Sequence, residues 1–106
     1  MINMDDIFST MFGLALGSEN RQEVIGRDAV GKFTIDTCLT ADQGWETAVW
    51  VGSYDMIIVG RYPTKRAARK GHKDWCSACK LNPVMAYSVQ NEQYEYFEPV
   101  IAEKEM

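Results

Sequence analysis

Between Lys32 and Tyr62 the chain carries three apolar-rich runs joined by links of only a few residues, too short for a crossover helix. Consecutive strands joined this way run antiparallel. From Lys32 to Thr40, Phe33, Ile35, Thr37 and Leu39 alternate with Lys32, Thr34, Asp36, Cys38 and Thr40, the period of a half-buried strand. That parity turns Cys38 away from the face of Phe33 and Ile35. ADQGW supplies turn residues, WETAVWV reads as a second strand rich in aromatic and β-branched residues, and GSYD is the next turn. MIIVGRY is apolar on both faces for most of its length, which suits a strand with material packed on each side.

The next segment, YPTKRAARKGHKDWCSACKLNP, changes period. Thr64 suits an N-cap and Asn82-Pro83 a stop, predicting a helix over 64–81. At about 100° per residue, Ala67, Ala68, Gly71, His72, Trp75, Ala78 and Cys79 gather on one side, and Lys65, Arg66, Arg69, Lys70, Lys73 and Lys80 on the other. Trp75 is the expected buried anchor on the sheet. Gly71 costs about 1 kcal/mol of helix stability relative to Ala, so close packing is the expected reason for it. Asp5 or Asp6 caps a further predicted helix carrying Ile7, Phe8, Met11, Phe12, Leu14 and Ala15, with Gly17 as its stop.

The 106 residues fit one domain. The expected class is α+β: a three-stranded antiparallel β-meander with an amphipathic helix packed on one face, plus an N-terminal helix and a C-terminal strand or arm. The divisions are 1–18 for the N-terminal helix, 19–83 for the β-β-β-α core and 84–106 for an aromatic and acidic arm.

HKDWCSAC places the single histidine and two of the three cysteines within eight residues. His72, Cys76 and Cys79, at i, i+4 and i+7, share one sector of the helix and are the candidate metal ligands. A structural zinc site needs a fourth ligand, and strand parity turns Cys38 away, so no metal and no cofactor are expected. A redox pair is disfavoured because CSAC falls near the C-terminal end of the helix, where the dipole does not stabilise a thiolate. The expectation is that Cys79 is core, His72 borders it and Cys76 sits at the rim. Asp36 and Glu46 share the outer sheet face, and a solvated strand face accounts for them more simply than paired catalytic carboxylates. The chain has no glycine-rich phosphate loop, G-x-S-x-G or H-E-x-x-H, and a helical i+4 histidine is a poor partner for a nucleophilic thiol. No catalytic residue is assigned and no enzyme is expected.

Charge is unevenly spread. Six of the 11 Lys and Arg lie between Lys65 and Lys80 beside one acid, Asp74, a net +5 in a chain whose formal charge is −4. Lys65, Arg66, Arg69, Lys70 and Lys73 form either a solvated face or a binding ridge for an anionic partner such as a nucleotide. The acidic total argues against generic duplex DNA binding. Trp50, Tyr87, Tyr94, Tyr96 and Phe97 are candidate interface residues, since aromatic side chains offer large contact area and, in Tyr, a hydroxyl. Apolar groups on both sheet faces favour a homodimer. IFSTMFGLALGS is too short to span a bilayer and follows Asp5 and Asp6 rather than a basic leader, and the odd cysteine count fits a reducing compartment. A cytoplasmic location without membrane contact is expected.

The run ENRQEVIGRDAVGKFTIDTCLTADQGWETAVW, followed by IIVGRYPTKRAARKGHKDW, resembles a family of small proteins encoded by tailed bacteriophages and prophages. The matching positions are Asn20, Arg21, Asp36, Thr37, Cys38, Glu46, Thr47, Tyr62, Thr64, Gly71, His72 and Trp75, within residues 19–75. CSAC is not part of the pattern. The resemblance implies no particular activity, cofactor or catalytic residue. It implies a phage accessory protein in the host cell cytoplasm that binds and modulates a host factor, such as a defence component. A small-ligand or nucleotide-binding oligomer and a minor virion or assembly protein are the alternatives.

Overall fold

A computed structural model describes residues 21–99. The predicted helix over 1–18 lies outside the described residues. A four-stranded antiparallel sheet, β1 (Arg21–Val30), β2 (Phe33–Thr40), β3 (Gly44–Val51) and β4 (Ile57–Tyr62), runs in sequence order and is followed by α1 (Lys65–Cys79). A separate hairpin, β5 (Met85–Ser88) and β6 (Gln93–Tyr96), closes the described chain.

The meander therefore has four strands, not three. β1 escapes a periodicity search because its pairing with β2 shifts register twice, between Arg21 and Glu23 and between Val24 and Gly26. Each shift inverts the side-chain parity, which erases the alternation that identifies a strand. The predicted arm is likewise more definite than a single late strand: it folds on itself as β5 and β6, then returns to the body through Phe97.

The helix begins where its cap directs. Thr64 Oγ1 accepts a hydrogen bond from the Ala67 backbone N–H at 3.1 Å, satisfying one of the free donors of the first turn. At the other end Asn82 adopts a left-handed φ of 55°, and Pro83 prevents resumption. α1 lies across all four strands of the sheet.

Beneath it, Phe33, Ile35, Val49, Val51, Ile57, Val59 and Cys79 form the main core, joined by Ala86 and Phe97 from the hairpin region. The Phe97 ring meets Phe33 edge-on at 5.1 Å, a favoured aromatic geometry, and so seals one end of this core. Trp75 is only half-buried against its margin, so the anchoring role expected of it falls to Ala68, His72 and Cys79, which are buried. On the opposite sheet face, Ala48, Trp50 and Ile58 form a second buried cluster flanked by Met56 and Val89. Trp50 and Phe97, at 2% and 1% exposure, are interior residues rather than interface residues. Among the described residues, no helix is long and apolar enough to cross a membrane.

Candidate functional site

One row of residues across the sheet organises the site. Gly26, Thr37, Thr47 and Gly60 are successive cross-strand partners on β1, β2, β3 and β4. The two glycines leave room at the ends of the row for larger side chains. His72 descends from α1 beside Gly26, where a Cβ would lie 3.2 Å from its Nε2. The Tyr62 ring occupies the space between Gly60 and Gly71, and a Cβ on either would overlap it. Gly71 thus serves close packing, as its sequence position suggests, with Tyr62 as the group it admits. Val59 is the extra residue of a bulge, since Thr47 pairs with Gly60 while Ala48 pairs with Ile58, and this bulge sets the parity that aims Tyr62 at the row.

These side chains join into a hydrogen-bonded chain. Tyr62 donates to Thr47 Oγ1 at 3.1 Å, the Thr47 and Thr37 hydroxyls are 2.6 Å apart, Thr37 Oγ1 is 2.7 Å from His72 Nδ1, and His72 Nε2 is 2.6 Å from Asp28 Oδ2. The ionised Asp28 carboxylate can only accept, so Nε2 carries a hydrogen. With a neutral ring, Nδ1 then accepts from Thr37, Thr37 accepts from Thr47, and Thr47 accepts from Tyr62, leaving no lone pair opposed to another. Burial pushes the Tyr62 phenol up from its ordinary value, which keeps the donor end protonated.

At its outer end the chain opens into a cleft of about 510 Å³ lined by Ile25, Asp28, Arg69, His72, Lys73, Cys76 and Ser77. Cys76 Sγ lies 4.0 Å from Asp28 Oδ2, and the donor atoms of Asp28, His72 and Cys76 all fall within 4.8 Å of one another. Cys79 is not in this group. It points into the core, where burial, with a smaller contribution from Cys76, raises its thiol to about 11. The metal candidates His72, Cys76 and Cys79 therefore separate: His72 and Cys76 stay together, and Asp28 of β1 takes the third place. Sequence reasoning missed Asp28 because it lies 44 residues from His72 on a strand whose parity is hidden.

The arrangement does not activate Cys76 as a nucleophile. Both His72 nitrogens are engaged, by Thr37 and Asp28. Burial, followed by the Asp28 charge, pushes the Cys76 thiol up, with Lys80 opposing. A thiol held protonated beside a carboxylate lacks the general base that nucleophilic catalysis needs.

On the other sheet face Asp36 and Glu46 are not solvated, as their strand pattern suggests, but buried, at 0% and 4% exposure. Asp36 is held by Arg27 at 2.7 Å and Arg21 at 3.3 Å, and Glu46 by Arg61 at 2.8 Å. Arg27 and Arg61 are direct cross-strand neighbours of the acids they hold. Arg27 also lies over the Trp50 ring, 5.6 Å from its centroid. Cys38 shares this face, as its parity requires, and burial with the Asp36 charge raises its thiol to about 11 against the opposing effect of Arg21.

The basic ridge divides into paired and unpaired members. Lys65 forms an ion pair with Glu23 of β1, and Lys70 bonds Asp74 at 2.7 Å. Arg66, Arg69 and Lys73 are exposed and have no ion-pair partner among the described residues. Of the aromatic candidates, Tyr87, Tyr94 and Tyr96 are exposed, at 43%, 69% and 53%. With Met85 they occupy one face of the hairpin, since Met85 pairs with Tyr96 and Tyr87 with Tyr94. The Tyr87 and Tyr94 rings meet edge-on at 5.2 Å.

No family model, curated protein or solved structure matches this chain.

Proposed function

We propose that this chain is a non-enzymatic phage accessory protein that acts in the host cell cytoplasm by binding a host protein through the outer face of the β5 and β6 hairpin. The observation that carries this reading is the exposed row of Met85, Tyr87, Tyr94 and Tyr96, continued along the chain by Val84 at 65% and Leu81 at 84% exposure. Exposed apolar side chains gathered on one face mark interaction surfaces, whereas scattered ones need no explanation. Tyrosines suit contact positions because each provides a rigid apolar body and a hydroxyl, and the Tyr87 and Tyr94 pair is already ordered against itself. The phage origin rests on the resemblance of residues 19–75. Several positions of that pattern, among them Asp36, Thr37, Glu46, Thr47, Tyr62, Gly71 and His72, serve the buried networks described above. They account for a scaffold, and the hairpin face lies outside them.

A second reading has its own support. Arg69 and Lys73 line the cleft at His72, so a small anionic ligand such as a nucleotide has two cations to meet there. Affinity purification of the full chain from infected host cells separates the readings. The expected result is a host protein retained by the parent and lost from a Tyr87→Ser, Tyr94→Ser variant that melts like the parent. Retention of the partner by that variant would overturn the hairpin reading. A copurifying nucleotide sensitive to Arg69→Ala would favour the cleft, and recovery in purified particles would favour a virion component. Light scattering checks the homodimer: a dimer mass that reverts to monomer in the same tyrosine variant would show that a second copy occupies the hairpin face.

A further inference from the structure

We infer that Asp28, His72 and Cys76 form a binding site for a single zinc-class divalent cation, held between β1 and α1 with one coordination position open to the cleft. The donor set is one carboxylate oxygen, one imidazole nitrogen and one sulfur, a combination that suits Zn²⁺ and its analogue Co²⁺ rather than the oxygen-seeking Mg²⁺ or Ca²⁺. Three protein donors with a fourth position left to water or an added ligand is an established zinc arrangement.

The geometry needs little adjustment. At zinc bond lengths of about 2.0 to 2.3 Å, tetrahedral neighbours stand roughly 3.3 to 3.6 Å apart. The Asp28 and His72 atoms, now hydrogen-bonded at 2.6 Å, would separate slightly, and the Cys76 sulfur, 4.0 Å from the same carboxylate oxygen, would approach. Asp28 and Cys76 are on the accessible rim and His72 is held from below, so the movable ligands are the outer ones.

Two further observations point to the same atoms. Gly26 presents no side chain beside His72 Nε2; a Cβ there would stand 3.2 Å from Nε2 and 3.6 Å from Asp28 Oδ2. The space next to the ligating nitrogen is thus kept clear by the choice of residue. His72 Nδ1, meanwhile, is fixed by the wholly buried Thr37 hydroxyl. Histidines that bind metals characteristically donate their other ring N–H to a fixed acceptor, and the Thr37 oxygen can serve as one.

Loading is balanced as an exchange of protons for the ion. The Cys76 thiol loses its proton to solvent, and the imidazole hydrogen moves from Nε2 to Nδ1, which then donates to Thr37. The Thr37 hydroxyl turns to Thr47 and the Thr47 hydroxyl to the Tyr62 oxygen, reversing the chain, while the half-buried Tyr62 hydroxyl turns its own hydrogen aside. The thiolate and the Asp28 carboxylate together neutralise the two charges of the ion. Arg69 and Lys73 remain to attract an anion to the open position.

The test is titration of the metal-free full chain with Co²⁺. The expected result is one ion per chain, a near-ultraviolet sulfur-to-cobalt charge-transfer band, release of a proton in weak buffer, and displacement of Co²⁺ by Zn²⁺, the tighter-binding ion. Cys76→Ser should abolish the band, and Asp28→Asn should weaken binding about tenfold or more. Both positions are at the rim, so folding of these variants is checked by their melting curves. Cys79→Ala, on the core side, should keep the band. No stoichiometric Co²⁺ uptake by the parent, a band that survives Cys76→Ser, or a band lost in folded Cys79→Ala would each overturn the assignment.

Discussion

The two faces of β2 and β3 bury polar side chains in opposite ways. Asp36-Thr37 on β2 and Glu46-Thr47 on β3 each place a carboxylate on one face and a hydroxyl on the other, because neighbouring residues of a strand point apart. Under the helix, Thr37 and Thr47 join Tyr62 and His72 in a chain of hydroxyls and an imidazole whose one carboxylate, Asp28, sits at the rim. On the far face, Asp36 and Glu46 are held by guanidinium groups, Asp36 by Arg21 and Arg27 and Glu46 by Arg61. A buried hydroxyl needs only a partner of the right polarity, and a neighbour on the same sheet row can supply it. A buried carboxylate needs a cation, and arginine's planar fork delivers one with directed hydrogen bonds. The hydroxyl chain can therefore be reversed by turning protons, whereas the charged face holds one arrangement.

The comparison is most severely tested by removing one member of the charged set. Asp36→Ala should cost about 3–5 kcal/mol, because it leaves two guanidinium groups largely buried without their counter-ion. Denaturant titration checks this, and a loss below that of the Thr37 variant described below would mean that the charged face is not the less forgiving one.

Alkaline titration compares the two faces through Cys38 and Cys79. Both thiols have folded-state values raised to about 11 from an ordinary 9.0. Above pH 9 the unfolded chain loses these protons while the folded chain keeps them, so stability falls as pH rises from 9 to 11 and is fully present below 9. The slope is about 1.4 kcal/mol per pH unit for each thiol. In Cys38→Ala or Cys79→Ala the slope across that window should be shallower by up to about 1.4 kcal/mol per pH unit, and an unchanged slope in either variant would remove that thiol from the account.

Thr37→Val keeps the shape of the side chain and breaks the hydroxyl chain at its middle. The expected cost is about 1–3 kcal/mol, since the Thr47 hydroxyl and His72 Nδ1 both lose a partner. Gly71→Ala sharpens the packing argument. Helix propensity alone would make it stabilising by about 1 kcal/mol, and displacement of the Tyr62 ring should reverse that sign. A higher melting temperature in Gly71→Ala would show that Tyr62 moves aside freely. The smallest effect belongs to Lys70→Ala, which removes an ion pair exposed on both sides and should leave the melting temperature unchanged.

Much of this was legible in the residues. The parity of FTIDTCLT placed Phe33, Ile35 and Thr37 toward the helix and Cys38 away, and the structure keeps that division. The helix bounds followed from Thr64 and from Asn82-Pro83, because capping and proline geometry act over a few residues. β1 was not legible, since its two register shifts remove periodicity. The hairpin face was visible only as a density of tyrosines; the pairing of Tyr87 with Tyr94 and of Met85 with Tyr96 is what puts them on one side. Trp50 and Phe97 belong to the same compositional class as those tyrosines yet lie in the interior, because side-chain chemistry does not reveal which face a neighbouring element will cover.

By itself the sequence determined the antiparallel meander, the capped amphipathic helix and the separation of hydroxyls from carboxylates on the central strands. Each follows from bonds, periods and caps that act within a few residues. The tertiary structure alone decided that Asp28 meets His72 and Cys76, that Tyr62 fits between Gly60 and Gly71, and that Asp36 is enclosed by two arginines. Those contacts join residues 9 to 48 positions apart, or depend on which bulge sets a strand's register. Local preference does not encode such distances, and only the packing of α1 and β1 onto the same sheet row brings the groups together.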